Sequence, residues 1–394
     1  VTAVFVYAVT LLVAVLVSRL AERTILSTAL LFLVGGFVAG GGLLHVVEVT
    51  VENRVVARLV ELALFTVLFT DGLRTGIGDL ASAWRLPGRT LLFGLPLTLA
   101  VIAVLAVVVA GLPWLEALLV GAALSATDPV LAAALVGREE VPQRLRHLLN
   151  VESGLNDGLA LPIVLVLLAV LGGRHSSPAS LGLEAVLGLA LGAALPWAAA
   201  RLEASRFFGA APPYDRLAGF AIGLLLYATA TLTQANPFLA AFAGGVTLAS
   251  AAPAMRAAFH EFGEVLAELL KLAALLVFGA LKSWRFLAEL SWWDYLFAAL
   301  VLFAARPAAL AIALAGSQLD RREWVAAAWF GPKGFASVVY GLLVLDAGVP
   351  DADRIFHLIA LVTILSIVAH SSTDVLVARW FERSTPGSGG ARPA

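Results

Sequence analysis

Four short stretches hold side chains able to do chemistry in a chain that is otherwise short of them. They are Ser125-Ala126-Thr127-Asp128-Pro129, Glu152-Ser153-Gly154-Leu155-Asn156-Asp157-Gly158, Arg306-Pro307 and Gly331-Pro332-Lys333-Gly334. A proline inside a helix removes a hydrogen bond and pushes the residue before it, here Asp128, out of the helical region. The carbonyls freed near Ala126 and Thr127, the Thr127 hydroxyl and the Asp128 carboxylate are hard oxygen donors suited to a hard cation. Asp128 also fits as the cap of the half-helix that follows, and the two roles are compatible. In the second stretch Ser153 and Asp157 share one helix face, and Glu152 and Asn156 the neighbouring one. Two carboxylates this close cannot both stay unpaired away from water. One needs a fixed counter-charge, and the other is free to titrate or to bind a cation. An interfacial helix start, with both carboxylates favouring the N-terminal dipole, suits Glu152 better than the deeper Asp157. Arg306 and Lys333 are the cations available to match.

The elements that must position these residues follow from composition. Of 394 residues 61% are hydrophobic and only 13% charged, with a mean hydropathy of +0.95. Soluble domains carry about 25% charged residues, so a water-soluble globular protein is excluded. The net charge of −1 gives no nucleic-acid footprint. The absence of Cys excludes disulfides, thiolate catalysis and Cys-ligated metal. Apolar runs of about 20 residues, enough to cross a bilayer, occur near 2–18, 25–44, 55–71, 89–110, 114–136, 151–171, 180–200, 216–233, 236–251, 261–281, 290–315, 323–345 and 354–377. The reading is therefore an all-α polytopic membrane protein with thirteen spans. The first run lacks a basic start and a cleavage site, so it counts as a span.

With the N-terminus outside, seventeen basic residues fall in inner loops, six (Arg54, Arg58, Arg174, Lys282, Arg285, Arg354) in outer loops and three within spans. That asymmetry fits an N-out, C-in topology in the cell membrane. Ionisable residues at membrane depth cost roughly 2.5–3.5 kcal/mol each, so they call for partners. Segments five and twelve are both interrupted near the middle, at Asp128-Pro129 and Gly331–Gly334. Paired interruptions point to inverted repeats and a site at the midplane. Glu264, Glu268 and Lys271, at helical spacing in segment ten, are expected to neutralise one another. Asp71 is expected at the interface. The run from His370 to Asp374 looks only superficially like a hydrolase sequence and is placed at the inner end of the last segment. Several Trp (Trp84, Trp114, Trp292, Trp293, Trp324, Trp380) read as an interfacial belt.

Together SATDPV (Ser125–Val130), ESGLNDG (Glu152–Gly158), NPFLAAFAG (Asn236–Gly244), Arg306-Pro307 and GPKGFASVVY (Gly331–Tyr340) resemble the monovalent cation:proton antiporters, in the NhaP-type branch related to animal sodium/proton exchangers. The resemblance spans the whole membrane region. It implies an NhaA-like antiporter fold of thirteen helices, with helices five and twelve unwound and crossed. A dimerisation domain would comprise 1–82 and 173–285, and a core domain 83–172 and 286–382; 383–394 would be a disordered cytoplasmic tail with little regulatory role. Asp157 would exchange proton and cation, with Thr127, Ser153 and Asp128 completing the site for transported Na⁺, directly or through water. Glu152 and Arg306 would form a structural ion pair, and Asn156 would mark the electroneutral branch. The family's Gly-x-Arg-Gly is Gly-Pro-Lys-Gly here, which leaves the role of Lys333 open.

A carboxylate held away from water carries either a proton or a cation, so the two compete for Asp157. If only the neutralised site crosses between faces, exchange is obligatory. With Asn156 uncharged and Glu152 fixed, one proton trades for one cation, by a core domain sliding against a dimerisation domain as an elevator. The implied partners are Na⁺ (or Li⁺ or K⁺), H⁺, membrane lipid and a second copy in a homodimer. No cofactor and no enzymatic activity are expected, and a proton-driven export of sodium would support pH homeostasis. A potassium/proton antiporter or K⁺ efflux system is the alternative. A channel lacks a carbonyl-filter segment. An intramembrane aspartic hydrolase built on Asp128 and Asp157 is the remote alternative, and it leaves Arg306 and Lys333 unexplained.

Overall fold

The computed structural model describes residues 2–21, 27–47, 49, 53–74, 86–128, 141–172, 178–205, 214–281 and 284–382. Pro129, Val130 and the rest of segment five, Trp84, the tail 383–394 and the loop residues Arg23, Arg85, Arg138, Arg174, Arg206 and Lys282 lie outside them. Among the described residues the chain is all-helical. The helices are α1 (Thr2–Ala21), α2 (Thr28–Phe37, continued by a π turn at Val38–Gly42), α3 (Arg54–Arg74) and α4 (Pro87–Val108). Then come α5 (Trp114–Ser125), α6 (Gln143–Leu171), α7 (Pro178–Glu203), α8 (Asp215–Leu232), α9 (Pro237–Ala251) and α10 (Pro253–Ala280). After a six-residue helix at Trp284–Glu289 follow α11 (Trp292–Ala313), the two halves α12a (Arg321–Trp329) and α12b (Phe335–Asp346), and α13 (Ala352–Glu382). Among the described residues five helices are long and apolar enough to cross a membrane by length and composition alone: Pro87–Val108, Gln143–Leu171, Ala179–Glu203, Trp292–Ala313 and Ala352–Thr373.

Local sequence explains the helix ends. Asn236 accepts hydrogen bonds from the Phe238 and Leu239 N–H groups at 3.1 and 3.0 Å, with Pro237 at the first helical position of α9. Ser291 with Asp294, and Asp320 with Glu323, form capping boxes at the starts of α11 and α12a. Two helices carry the same internal irregularity. In α4 a π turn at Thr90–Gly94 precedes Leu95-Pro96, and in α11 a π turn at Val301–Ala305 precedes Arg306-Pro307. Proline lacks an N–H and crowds the preceding turn, so the helix widens there. The recurrence of this device in segments four and eleven parallels the breaks in segments five and twelve.

The helices pack in two groups. In one, α3 lies on α9 and α10, α9 on α7 and α8, and α10 on α2 and α8. In the other, α5 lies against α4, α6, α12b and α13, while α11 covers α4 and α12a. The groups meet where α6 touches α3 and α9, and where α12b touches α10 and α3. Apolar side chains left exposed, such as Phe5 and Leu16 on α1 and Leu183 and Val186 on α7, cover a surface that a soluble protein would charge.

Without a hydrophobic force between helices in lipid, association depends on close backbone approach. The α2–α10 crossing shows it: a Cβ on Gly36 would strike the Leu276 carbonyl, and one on Gly279 the Leu33 carbonyl. Overpacking costs about 1–3 kcal/mol where neighbours can yield, and backbone atoms yield least. Gly279→Val should therefore lower the melting temperature of the detergent-purified protein sharply. Gly182→Ala, where a Cβ meets nothing within 4 Å, should leave it unchanged; equal melting of both variants would refute the close-approach account.

Candidate functional site

At the centre of the second group the broken segments cross. Segment five leaves helical geometry at Ala126, and segment twelve does so between Phe330 and Gly334. The two breaks are joined by a backbone bond, Asp128 N–H to the Pro332 carbonyl at 2.8 Å. Asp128 Oδ2 then accepts the Phe335 N–H at 2.8 Å. Asp128 therefore caps α12b, a half-helix of the other segment. Its charge meets the positive end of the α12b dipole. Gly334 is required beside it, because a Cβ there would collide with the Asp128 carboxylate.

The opposite end is treated in kind. Lys333 Nζ donates to the Ala126 carbonyl at 3.3 Å, and Ser337 Oγ to the Ala123 carbonyl at 2.8 Å, so both cover the C-terminal end of α5. Lys333 is buried and its own N–H donates to Ser366 Oγ at 2.7 Å. Ser366 is in turn hydrogen-bonded to His370 Nδ1 at 3.1 Å, while His370 Nε2 meets the Trp329 carbonyl at 3.0 Å. His370 stacks on the Trp329 ring and is buried well inside α13. It lies three residues from the end of the apolar span Ala352–Thr373, as the sequence reading placed it, while the helix itself continues to Glu382.

Glu152 on α6 and Arg306 on α11 form a bidentate pair, Nη1–Oε1 at 2.5 Å and Nη2–Oε2 at 2.9 Å, with both side chains 7% exposed. Arg306 Nε also donates to the Ala327 carbonyl at 3.0 Å, near the end of α12a. Gly331 packs directly on the Arg306 side chain. Ser153 donates to the Leu149 carbonyl at 2.7 Å. Asn156 Nδ2 donates to Thr127 Oγ1. Asp157 is 3% exposed, and its carbonyl accepts the Tyr340 hydroxyl at 2.9 Å. Its Oδ1, like Asn156 Oδ1, is buried with no hydrogen-bond partner among the described residues. Glu152 with Arg306, Asn156 with Thr127, Asp128 with the α12b N-terminus and Lys333 with the α5 C-terminus thus form separate contacts around the crossing, and Asp157 lies one residue from Asn156 on α6.

Two expectations from the sequence are revised on α3 and α10. Asp71 is 1% exposed rather than interfacial, because α3 continues to Arg74, whose guanidinium is 3.3 Å from it. Glu264 is taken by Arg74 across helices at 2.9 Å instead of by Lys271. Lys271 is buried. The available signal for Asp71 was Arg74 at the i+3 position, which extends the helix past the end of the apolar run.

Comparison with known proteins follows this geometry. The family model described as sodium/hydrogen exchanger, transmembrane, matches residues 8–379. A K⁺/H⁺ antiporter NhaP of Alkalimonas amylolytica is 26% identical over 98% of this chain and 68% of its own length. The K⁺/H⁺ antiporter NhaP2 of Shewanella oneidensis is 28% identical over 93% of this chain and 65% of its own. The chain thus spans about two thirds of the length of these relatives. A Na⁺/H⁺ antiporter 2 of Zygosaccharomyces rouxii is 48% identical over 68 residues, 16% of this chain and 8% of its own length. Among solved structures, the sodium proton antiporter MjNhaP1 of Methanocaldococcus jannaschii superposes with a TM-score of 0.76 at 20% identity, over 96% of this chain and 98% of that one.

Truncating one partner of a buried ion pair leaves the other uncompensated, at about 3–5 kcal/mol. Glu152→Ala should therefore mainly impair folding, seen as a large drop in thermal stability in detergent. Adding Arg306→Met to it should restore part of the loss, since no lone guanidinium then remains. A fully stable Glu152→Ala protein would contradict this role for the pair.

Proposed function

Because the chain belongs to the sodium/hydrogen exchanger family, we propose that it exchanges a monovalent cation for a proton at Asp157, one for one. A single observation carries the reading: a buried carboxylate oxygen with no hydrogen-bond partner among the described residues, in the one stretch where broken backbone, hydroxyl and carboxylate oxygens converge. A lone charge there is costly. A proton or a cation relieves the cost, and each must leave before the other binds.

The stoichiometry follows from how the other charges are held. Glu152 is matched by Arg306, Asp128 faces the α12b N-terminus, and Lys333 faces the end of α5. Asn156 is neutral. Of these groups only Asp157 is left to change its charge, so a proton and a monovalent cation replace one another and the cycle moves no net charge. Thr127, Ser153 and Asp128 supply further oxygens to the cation, directly or through water. Sodium is the cargo of this reading. Potassium is the second reading, favoured by the names of the NhaP relatives.

The two helix groups act as the moving parts. The group holding α4–α6 and α11–α13 slides as a core domain against a dimerisation domain holding α1–α3 and α7–α10, in a homodimer with N-terminus outside. A cavity of about 440 Å³ lies between the groups, lined by Glu61, Glu184, Asp346, Leu165 and Phe238 among others. Leu165 is eight residues beyond Asp157 on α6, or about 12 Å at helical rise. Between them Leu161 is fully buried and Gly158 packs on the Phe242 ring. The cavity is one end of the access path, and this packing is its closure.

The test is reconstitution in liposomes with a trapped pH dye and an imposed proton gradient, with sodium, lithium, potassium or choline added in turn. Dye recovery should follow the metal cations and not choline, and should fall to the empty-liposome background in Asp157→Asn. It should be indifferent to membrane voltage set with valinomycin and potassium. Undiminished recovery in Asp157→Asn would remove Asp157 from its role, and strong voltage dependence would contradict one-for-one exchange.

A further inference from the structure

The proposed exchange takes place at the crossing inside the second helix group and makes no use of the seam between α12a and α13 on its outside. The two helices run antiparallel and touch at two levels. Trp329 Nε1 donates to Thr373 Oγ1 at 2.9 Å, and the Arg322 guanidinium lies over the Trp380 ring, 5.5 Å from its centroid. The partners are seven residues apart on each helix, so the two contacts lie about 10 Å apart at helical rise. Arg322, Val325 and Trp329 form one stripe of α12a, and Thr373, Leu376 and Trp380 the facing stripe of α13, by i, i+3 and i+7 spacing. The middle of the seam falls between Val325 and Leu376, which are 43% and 61% exposed. Ala326 and Val377, one residue further round, turn inward onto the apolar cluster beneath. The seam is thus pinned at both ends and open in the middle, with an apolar lining.

Its two ends differ in chemistry. At the Trp329 end the wall is aromatic, because the exposed Phe303 of α11 stacks on Trp329 with ring centroids 5.5 Å apart. The Trp380 end is basic. Arg322 and Arg379 are exposed there, and neither forms an ion pair among the described residues. The acids of α12a are already committed, since Asp320 caps the helix and Glu323 is buried against Arg144. The apolar span of α13 ends at Thr373, so the aromatic end of the seam lies at hydrocarbon depth and the basic end beyond it, at the level of headgroups. We propose that this seam is a binding site for one anionic phospholipid, with an acyl chain along Val325 and Leu376 and the phosphate on Arg322 and Arg379. A guanidinium meets a phosphate through paired N–H donors, and an indole such as that of Trp380 suits the same layer. A zwitterionic headgroup brings its own cation to two unmatched guanidiniums, so a net negative headgroup is favoured. The bound lipid ties α12a to α13 across the open middle of the seam. The site is separate from the exchange site, and its test does not depend on transport.

The measurement is native mass spectrometry of the delipidated, detergent-purified protein, titrated with dioleoylphosphatidylglycerol or dioleoylphosphatidylcholine, with the melting temperature read alongside. The wild type should take up its first phosphatidylglycerol about tenfold more tightly than phosphatidylcholine, and its melting temperature should rise with the former only. Arg322→Gln/Arg379→Gln should weaken that first binding about thirtyfold, as expected for two basic residues at an anionic headgroup. Both positions are exposed, so its lipid-free melting should match the wild type. Leu376→Trp, which fills the seam and keeps both charges, should weaken the lipid as well. Arg201→Gln removes a guanidinium that stacks on Trp197 of its own helix at 5.2 Å, away from the seam, and should change nothing. Equal affinity of the wild type for the two lipids would overturn the proposal. So would undiminished binding in Arg322→Gln/Arg379→Gln or in Leu376→Trp, or an equal loss in Arg201→Gln. Displacement of the lipid by millimolar inorganic phosphate would overturn it too, by showing a site for a free anion.

Discussion

The architecture depends on how two helices are allowed to stop inside an apolar bundle. A helix end leaves several N–H or carbonyl groups without partners, and at membrane depth such backbone survives only where something else takes it up. Here every described end at the crossing is met by a side chain from a distant segment. Asp128 receives the start of α12b, Lys333 and Ser337 the end of α5, and Arg306 with His370 the end of α12a. The breaks in segments five and twelve are thus one structure, held together by the Asp128–Pro332 backbone bond. Neither half could be unwound alone without leaving its own ends bare.

That arrangement makes one carboxylate chemically different from its neighbours. Glu152 and Asp128 are acidic, buried and adjacent in space to the same crossing, yet each is matched by a guanidinium or a helix dipole. Asn156 donates its amide to Thr127, so it does not shield the residue beside it. Tyr340 reaches the Asp157 backbone carbonyl and leaves the carboxylate alone. The distinction between a structural charge and an exchangeable one lies in these hydrogen bonds, and residue type does not reveal it.

This is also why the sequence is legible only in part. The helical, membrane-type fold follows from long apolar runs, and the two interruptions stand out because Pro and Gly are conspicuous inside them. Charged residues in apolar runs announce a cost, which is how Asp128, Glu152, Asp157 and Arg306 come to notice. What a sequence does not carry is the partner. Asp128 caps a helix 207 residues away, so the local reading offered its own half-helix instead. Glu264 and Lys271 are neighbours along one helix and looked self-contained, but packing against α3 gave Glu264 to Arg74. Asp71 sat at the end of an apolar run and looked interfacial. One more turn of helix buried it.

The contacts within and between the two helix groups differ in kind, and the difference bears on how such a molecule moves. Within the first group, glycines bring backbone onto backbone: Gly36 on Leu276, Gly72 on the Phe242 carbonyl, and Gly245 on the Phe69 carbonyl. Contacts of that sort lock registers, because a shift along the helix drives a side chain into main chain. Where α6 of the second group meets α9 of the first, Gly158 meets the ring of Phe242. A ring can rotate or slide over a glycine, and packed interfaces of this kind shift by small shearing steps while the bodies on either side stay rigid. The carboxylate proposed to carry the ion sits next to that glycine. In the proposed exchange, the position that would change its exposure is therefore beside a contact that can shear, and the matched charges would stay fixed within the sliding group.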